Sequence, residues 1–148
     1  MPAGVVIREM RESDLDKVMR LDALCLPVPW SATVWKSELT SPLGLHLVAE
    51  REGEIVAQIG AKRVLDELHV TTIAVLPERR RRGLARDLIA TASQCSPEAR
   101  LLTLEVRSKN PGARAFYKSL GFHEIGVRPR YYGDDDAVVM TLRRPPPE

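Results

Sequence analysis

The 148-residue sequence lacks the features that mark several specialised classes of protein. It has two cysteines, Cys25 and Cys95, without a Cys-x-x-Cys spacing. No disulfide scaffold is therefore predicted, and both thiols are expected to be reduced and at least partly buried. No apolar run approaches the roughly 20 residues that span a bilayer, and residues 1–4 lack the regions of a signal peptide. We expect a cytoplasmic protein without membrane association.

Charge of one sign is not in large excess either. The 22 Lys and Arg residues are balanced by 20 Asp and Glu residues, for a net charge of +2. A nucleic-acid-binding face normally carries more positive charge over a wider area, so no nucleic-acid partner is expected.

The three histidines have no spacing that indicates a metal site. The acidic run at residues 134–136 is more typical of a solvated loop than of a metal cluster, and attraction of a basic peptide is a weaker alternative.

The length and the apolar fraction of 44% are typical of one globular domain, here residues 1–148 with a loose tail at 143–148. Hydrophobic periodicity predicts strands at 5–8, 45–51, 55–63, 68–75, 100–106, 122–127 and 137–142. Helices are predicted from Ser13 to the prolines at 27 and 29, and at 31–39, 84–93 and 111–120. This order of elements predicts an α/β protein with a mixed sheet covered by helices.

A basic turn between a predicted strand and a predicted helix is the most informative segment. It reads Arg79-Arg80-Arg81-Arg82-Gly83-Leu84-Ala85. The first N–H groups of a helix lack internal partners, and the macrodipole adds about half a positive charge, so a phosphate binds well there. A glycine allows close approach, and arginines add a positive field. The turn lacks the glycines of a Walker loop or a dinucleotide fingerprint, and a solvated patch of arginines is the alternative.

A second segment, residues 104–122, has the order strand, loop, short helix and glycine stop. It contains the spacing Asn-x-x-Ala-x-x-x-Tyr-x-x-x-Gly-Phe at Asn110, Ala113, Tyr117, Gly121 and Phe122. Together with the Arg-x-x-Gly-x-Ala turn at 80–85, this segment resembles the GNAT superfamily of N-acetyltransferases. The segments at 29–31, 65–67, 73–75, 104–107, 130–132 and 136–140 resemble, in order, its RimI-type branch of ribosomal-protein N-terminal alanine acetyltransferases. The resemblance runs from about residue 7 to residue 142.

The resemblance implies a mostly antiparallel twisted sheet of about seven strands flanked by about four helices. It also implies acetyl-coenzyme A as cosubstrate, with no metal. The implied contacts to the cofactor are Ile73, Ala74, Val75, Arg80, Arg81, Arg82, Gly83, Leu84, Ala85, Arg86, Asn110 and Tyr117. In this pattern a backbone N–H at 73–75 polarises the thioester carbonyl. From the residues alone, 73–75 is plain core, and Asn110 is a helix cap, a role compatible with a cofactor contact.

Two side chains are implied to do the chemistry. Glu105 is the implied base, acting through water, and Tyr117 the implied acid that protonates the coenzyme thiolate. Strand alternation puts Glu105 with Leu101 and Thr103, on the face opposite the leucines at 102 and 104. A carboxylate in such a strand is costly unless it is paired, wet or functional, and a salt bridge to an arginine is the alternative. For Tyr117 the alternative is a core residue with a bonded hydroxyl.

Three aromatic side chains are implied to bind the substrate: Trp30, Tyr131 and Tyr132. Ordinary packing is the alternative for each. The predicted function is transfer of an acetyl group to the N-terminal amine of a protein such as a ribosomal protein, with alanine as the expected first residue, by direct attack in a ternary complex. An acetyltransferase for lysine or a small amine is the first alternative. A non-catalytic acyl-coenzyme A binding module is the second, and it would more typically lack Glu105 or Tyr117. The sequence predicts no oligomeric state.

Overall fold

The computed structural model describes residues 4–144, in which the chain forms one sheet of seven strands and four α-helices. The strands are β1 (Val5–Glu9), β2 (Gly44–Arg51), β3 (Glu54–Val64), β4 (Glu67–Val75), β5 (Leu101–Arg107), β6 (His123–Arg128) and β7 (Ala137–Arg143). The helices are α1 (Leu15–Cys25), α2 (Ala32–Thr40), α3 (Leu84–Cys95) and α4 (Pro111–Ser119). Every predicted strand and helix is present, with bounds that differ by one or two residues.

The sheet has the order β1-β2-β3-β4-β5-β7-β6. Its neighbouring strands are antiparallel, except that β4 and β5 are parallel, which confirms the mixed, mostly antiparallel sheet. The parallel pairing extends only from Glu67 opposite Leu101 to His69 opposite Thr103, although β4 continues to Val75. Beyond His69 the two strands separate. The edge of β4 from residue 70 onward therefore has no paired strand on the β5 side within the described residues.

The helices cover both faces of the sheet. The buried side chains of α3 are Leu84, Leu88, Ile89 and Ala92, the residues that the 3.6-residue periodicity predicts. They pack with Leu47 and Ala49 of β2, whereas Val48 between them packs with α1 and α2 on the opposite face. Each fully buried aliphatic side chain contributes about 1.5–3 kcal/mol to folding, so both layers stabilise the sheet.

The start of α1 differs from the prediction. Ser13 lies inside a short 3₁₀ turn (Glu12–Asp14), and α1 begins at Leu15. The Asp14 carboxylate accepts a hydrogen bond from the Arg11 backbone N–H at 2.8 Å and forms an ion pair with Arg8 at 2.8 Å. Asp14 is therefore the N-cap residue of α1 in place of Ser13, but its carboxylate binds the preceding segment and makes no capping hydrogen bond to the helix.

Two further expectations were wrong. Cys95 is exposed at the end of α3, whereas Cys25 is half-buried. The predicted loose tail begins too early, because β7 includes residue 143 and the Arg144 guanidinium donates to the carbonyls of Ser93 and Ser96 at 3.0 and 2.6 Å. Residues 145–148 lie outside the described residues. Within residues 4–144, no helix is long and apolar enough to cross a membrane.

Candidate active site

A cavity of about 450 Å³ lies at the N-terminal end of α3. Gly83 is the N-cap of this helix, with φ of +81°, and its carbonyl accepts the N–H of Asp87 at 2.9 Å. The three intervening N–H groups, at residues 84–86, belong to the first turn and have no intrahelical partner. Because the whole turn lines the cavity, these donors and the positive end of the helix lie beside it.

The lining largely agrees with the predicted cofactor residues. It comprises Cys25, Leu26, Ile73, Ala74, Val75, Arg79, Arg80, Arg81, Gly83, Leu84, Ala85, Arg86, Phe116 and Tyr117. Arg82 is exposed and lies outside this lining, and Asn110 caps α4 by accepting the Ala113 N–H at 3.1 Å. Arg79, which the sequence did not assign to the cofactor, lines the cavity, whereas Arg82 does not. Arg80 is fixed to the end of β4, because its Nε donates to the Val75 carbonyl at 3.1 Å.

Cys25 is a cavity residue that sequence reasoning did not assign to the site. Its thiol donates to the Val75 carbonyl at 3.3 Å, the same oxygen that Arg80 contacts. Burial raises the pKa of the Cys25 thiol, and hydrogen bonding to Arg80 opposes this effect. The side chain is therefore a protonated thiol at neutral pH. It ties the end of α1 to the end of β4.

Tyr117 closes the cavity from α4. It is 8% exposed and packs edge-on against Phe116 and Phe122, with ring centroids 5.1 and 5.7 Å away. Burial, with a smaller contribution from the nearby Tyr132, raises the pKa of Tyr117 from 10.0 to about 12. Its hydroxyl has no hydrogen-bond partner within residues 4–144, so the bonded core residue considered for this position is not what the structure shows.

Glu105 lies on β5, where that strand has separated from β4. Its side chain is 7% exposed, and both carboxylate oxygens lie 2.8 Å from His69 Nε2. The Tyr131 hydroxyl donates to Glu105 Oε1 at 3.4 Å. Burial raises the pKa of Glu105, but the interactions with His69, Arg128 and Tyr131 together outweigh it and hold the pKa below the usual 4.5. The carboxylate is ionised at neutral pH, and its partner is a histidine rather than the arginine considered from the sequence.

The loop between β6 and β7 brings Tyr131 and Tyr132 to this side of the sheet. Their rings meet edge-on at 5.0 Å, and the Arg107 guanidinium stacks on the Tyr132 ring at 4.4 Å. Tyr131 is 49% exposed. Tyr132 is thus anchored by Arg107 of β5, while Tyr131 presents an exposed ring and a hydroxyl beside Glu105.

The acidic run holds this loop in place, in contrast to the solvated loop that the sequence suggested. Asp134 forms an ion pair with Arg107 at 2.8 Å, and the buried Asp135 accepts the Lys109 backbone N–H at 3.0 Å. Asp136 accepts the backbone N–H of Arg130 at 2.8 Å. Two of these carboxylates tie the loop to the end of β5 and the segment after it, and the third accepts a backbone donor within the loop. Within residues 4–144 there is no group of three or more side chains arranged to hold a metal.

Trp30 lies apart from these residues, in the connection between α1 and α2. Its half-buried ring packs on Trp35, which is fully buried, with centroids 4.8 Å apart. The contacts of Trp30 therefore belong to the hydrophobic layer beneath α1 and α2. A role in substrate binding stays a prediction for this residue, as it does for Tyr131 and Tyr132.

A sheet that opens between two parallel strands, with a helix N-terminus at the opening, defines a class of enzyme, the N-acetyltransferases. A family model described as "Acetyltransferase (GNAT) family" matches residues 15–122, and the chain belongs to this family. Enzymes of this family use acetyl-coenzyme A.

Two sequence relatives and one crystal structure are similar over nearly the whole chain. The ribosomal protein bS18-alanine N-acetyltransferase of Escherichia coli (strain K12) is 32% identical over 142 residues, which are 92% of this chain and 95% of that protein. The N-alpha-acetyltransferase RimI of Mycobacterium tuberculosis is 32% identical over 95% of this chain and 92% of its own. The crystal structure of the Escherichia coli ribosomal-protein-S18-alanine N-acetyltransferase superposes with a TM-score of 0.88 at 30% identity, covering 97% of this chain and 96% of that one.

Proposed function

We propose that this protein transfers the acetyl group of acetyl-coenzyme A to the N-terminal α-amine of a protein, with alanine as the first residue and a ribosomal protein as the natural substrate. The ionised Glu105 beside the gap between β4 and β5 carries this proposal, since it supplies a base where β5 has no pairing with the cavity-lining end of β4. The similarity to enzymes named for acetylation of the bS18 alanine supports the choice of acceptor.

The cavity has the chemistry that coenzyme A requires. Its polar end offers the free N–H groups of residues 84–86 and the guanidinium groups of Arg79, Arg81 and Arg86, which suit a pyrophosphate. Its other end, formed by Ile73, Ala74 and Phe116, is apolar and suits the pantetheine arm. The unpaired edge of β4 adds backbone groups that can bond to the amides of that arm. This combination of donors and apolar surface supports the proposed cofactor residues.

The proposed chemistry divides between two side chains. Acetyl-coenzyme A, when bound, supplies an activated thioester. Glu105, ionised at neutral pH, accepts the proton that the attacking amine loses, directly or through one water. The pKa of Tyr117 is raised to about 12, so the hydroxyl carries at neutral pH the proton that we propose it gives to the departing sulfur. An α-amine has an ordinary pKa of about 7.7–8.0, against about 10.4 for lysine, so a carboxylate base suits the α-amine better near pH 7.

A competition assay tests the choice of acceptor. The purified protein would be incubated with acetyl-coenzyme A and a mixture of four acceptors: an Ala-Arg peptide, a Met-Leu peptide, an N-terminally blocked peptide with an internal lysine, and spermidine. Mass spectrometry would identify the acetylated products and their positions. We expect acetylation of the alanine peptide at its α-amine to dominate. Dominant acetylation of the blocked lysine peptide or of spermidine would refute the proposed acceptor and favour a side-chain or small-amine acetyltransferase.

A further inference from the structure

His69 contacts Glu105 through the register of the two parallel strands. His69 lies opposite Thr103, and Thr103 and Glu105 are two residues apart on β5, so the three side chains share one face of the sheet. The diagonal across two parallel strands brings the imidazole to the carboxylate. The Nε2 atom lies 2.8 Å from each of Oε1 and Oε2. Such symmetric contact is the closest polar interaction that Glu105 makes in the described residues.

The ionisation of Glu105 assigns the proton in this contact. An ionised carboxylate has only acceptor oxygens, so Nε2 must carry the hydrogen that both oxygens share. The side chain of His69 is 33% exposed, against 7% for Glu105. The imidazole thus lies on the solvent side of the carboxylate. The Tyr131 hydroxyl, at 3.4 Å, is a more distant second donor.

Other charged groups around the pair are few and identifiable. Arg128 of β6 contributes a favourable longer-range charge to Glu105, and Tyr132 lies on the same side. On β3, the other neighbour of β4, Lys62 lies opposite His69. Lys62 forms an ion pair with Glu38 of α2 at 3.2 Å. Since Lys62 already has a carboxylate partner, the short contact available to Glu105 is the one from His69.

We propose that His69 is a positioning residue for Glu105: its Nε2–H holds both carboxylate oxygens and so keeps the base charged and fixed in orientation during turnover. This inference rests on the proposed function, in which Glu105 is the base. Burial alone would favour the neutral acid, and the hydrogen bond from His69 opposes that effect. Removal of the imidazole therefore weakens the base most under mildly acidic conditions.

The test compares two substitutions of His69 that differ in whether the new side chain has an N–H donor. His69→Gln keeps an N–H donor near the position of Nε2, whereas His69→Leu removes it at similar volume. The matched controls are His123→Gln and His123→Leu. His123 is exposed on β6, which is the edge strand of the sheet and is separated from β5 by β7. For all variants, kcat/KM for the alanine peptide would be measured from pH 4.5 to pH 9. Affinity for acetyl-coenzyme A and the thermal unfolding midpoint would show that each variant is folded.

We expect His69→Leu to lose about three- to fivefold in kcat/KM at pH 4.5 and to show no measurable loss at pH 8.5, as for a base whose acidic limb has moved upward by about one pH unit from below 4.5. His69→Gln should recover most of this loss, and the His123 controls should follow the wild type. Carboxyl ¹³C NMR of protein labelled at glutamate would show the titration of Glu105 moving to higher pH in His69→Leu.

Two results would overturn the inference. One is a folded His69→Leu variant whose pH profile and Glu105 titration match the wild type. The other is a His69→Gln variant that loses as much as His69→Leu at pH 4.5. Failure of the proposed function looks different, since the wild type would then acetylate no α-amine or Glu105→Gln would retain full activity. The NMR titration needs no turnover and decides the role of His69 in that case.

Discussion

Replacement of Gly83 by valine tests the assignment of the cofactor site with a control that the chain itself provides. Gly83 has φ of +81°, a conformation that L residues adopt only under strain, and a Cβ built there meets no atom of the described residues within 4 Å. Gly53, in the turn between β2 and β3, has φ of +80° and equally open space around a Cβ. The two sites therefore impose the same backbone cost, but only Gly83 lines the cavity.

The expected magnitudes follow from this comparison. A non-glycine residue in the left-handed region costs roughly 1–2 kcal/mol, so Gly83→Val and Gly53→Val should lose similar stability. For a chain of this length, each kcal/mol lowers the unfolding midpoint by about 2–4 °C. At Gly83 the added side chain also occupies space beside the free N–H groups of the helix, where the pyrophosphate is proposed to bind. We expect the Kd for acetyl-coenzyme A to rise at least ~10-fold, about 1.4 kcal/mol, in Gly83→Val alone.

Titration calorimetry with acetyl-coenzyme A and thermal unfolding, each run on wild type and both variants, separate the two effects. Equal midpoints with a loss of affinity confined to Gly83→Val would support the site. Unchanged affinity in a folded Gly83→Val protein would refute it. An equal loss of affinity in Gly53→Val would show instead that strain anywhere in the chain is sufficient, and the reasoning from the cavity would fail.

Three further substitutions have defined outcomes. Glu105→Gln should lower kcat by roughly 10²-fold or more near pH 7 and abolish the acidic limb of the pH profile in steady-state kinetics; wild-type rates would remove Glu105 as the base. Tyr117→Phe should lower kcat at least ~10-fold with Kd and unfolding midpoint nearly unchanged, because the hydroxyl has no partner within residues 4–144; a large loss of stability would contradict this. Burial raises the pKa of Asp22 from 3.8 to about 6, so folding favours the neutral acid and stability declines as the pH rises from about 4 to about 6. Asp22→Asn should therefore unfold at a higher temperature than wild type at pH 8 but not at pH 4, and equal differences at both pH values would rule out this effect.

The parts of the site that depend on local sequence could be predicted. The basic turn, its glycine and the start of α3 are contiguous, so helix-end electrostatics alone indicates an anion site there. Alternation along β5 places Glu105 on the face away from the buried Leu102 and Leu104, as the structure confirms. The cap at Asn110 also follows from short-range rules, because it depends on an N–H three residues away.

The missed residues depend on contacts between distant segments. His69 meets Glu105 only because β4 and β5 are parallel with one particular register, and periodicity carries no information on pairing between segments 36 residues apart. Asp22 interrupts the apolar face of α1, and it is tolerated because Trp35 Nε1 and Gln58 Nε2 donate to it at 3.2 and 3.1 Å. A polar residue on an otherwise apolar helix face is the signal that would have identified it.

The same irregularity in the sheet accounts for the gap and for the position of Glu105, the proposed base, beside it. In the pairing of β3 with β4, Gly60 lies opposite Thr72 and Ala61 lies opposite Val70, so Thr71 is an extra, unpaired residue. A bulge of this kind bends its strand and increases the local twist, and here it follows the last residue of β4 that pairs with β5. Beyond the bulge β4 moves away from β5, while β5 stays paired with β7 as far as Arg107. One strand edge thereby loses its hydrogen-bonding neighbour, and the Glu105 side chain comes to lie beside a gap instead of a continuous strand. Filling that edge with a regular parallel ladder would stabilise the sheet but would remove the place where we propose that the acyl donor and the amine meet.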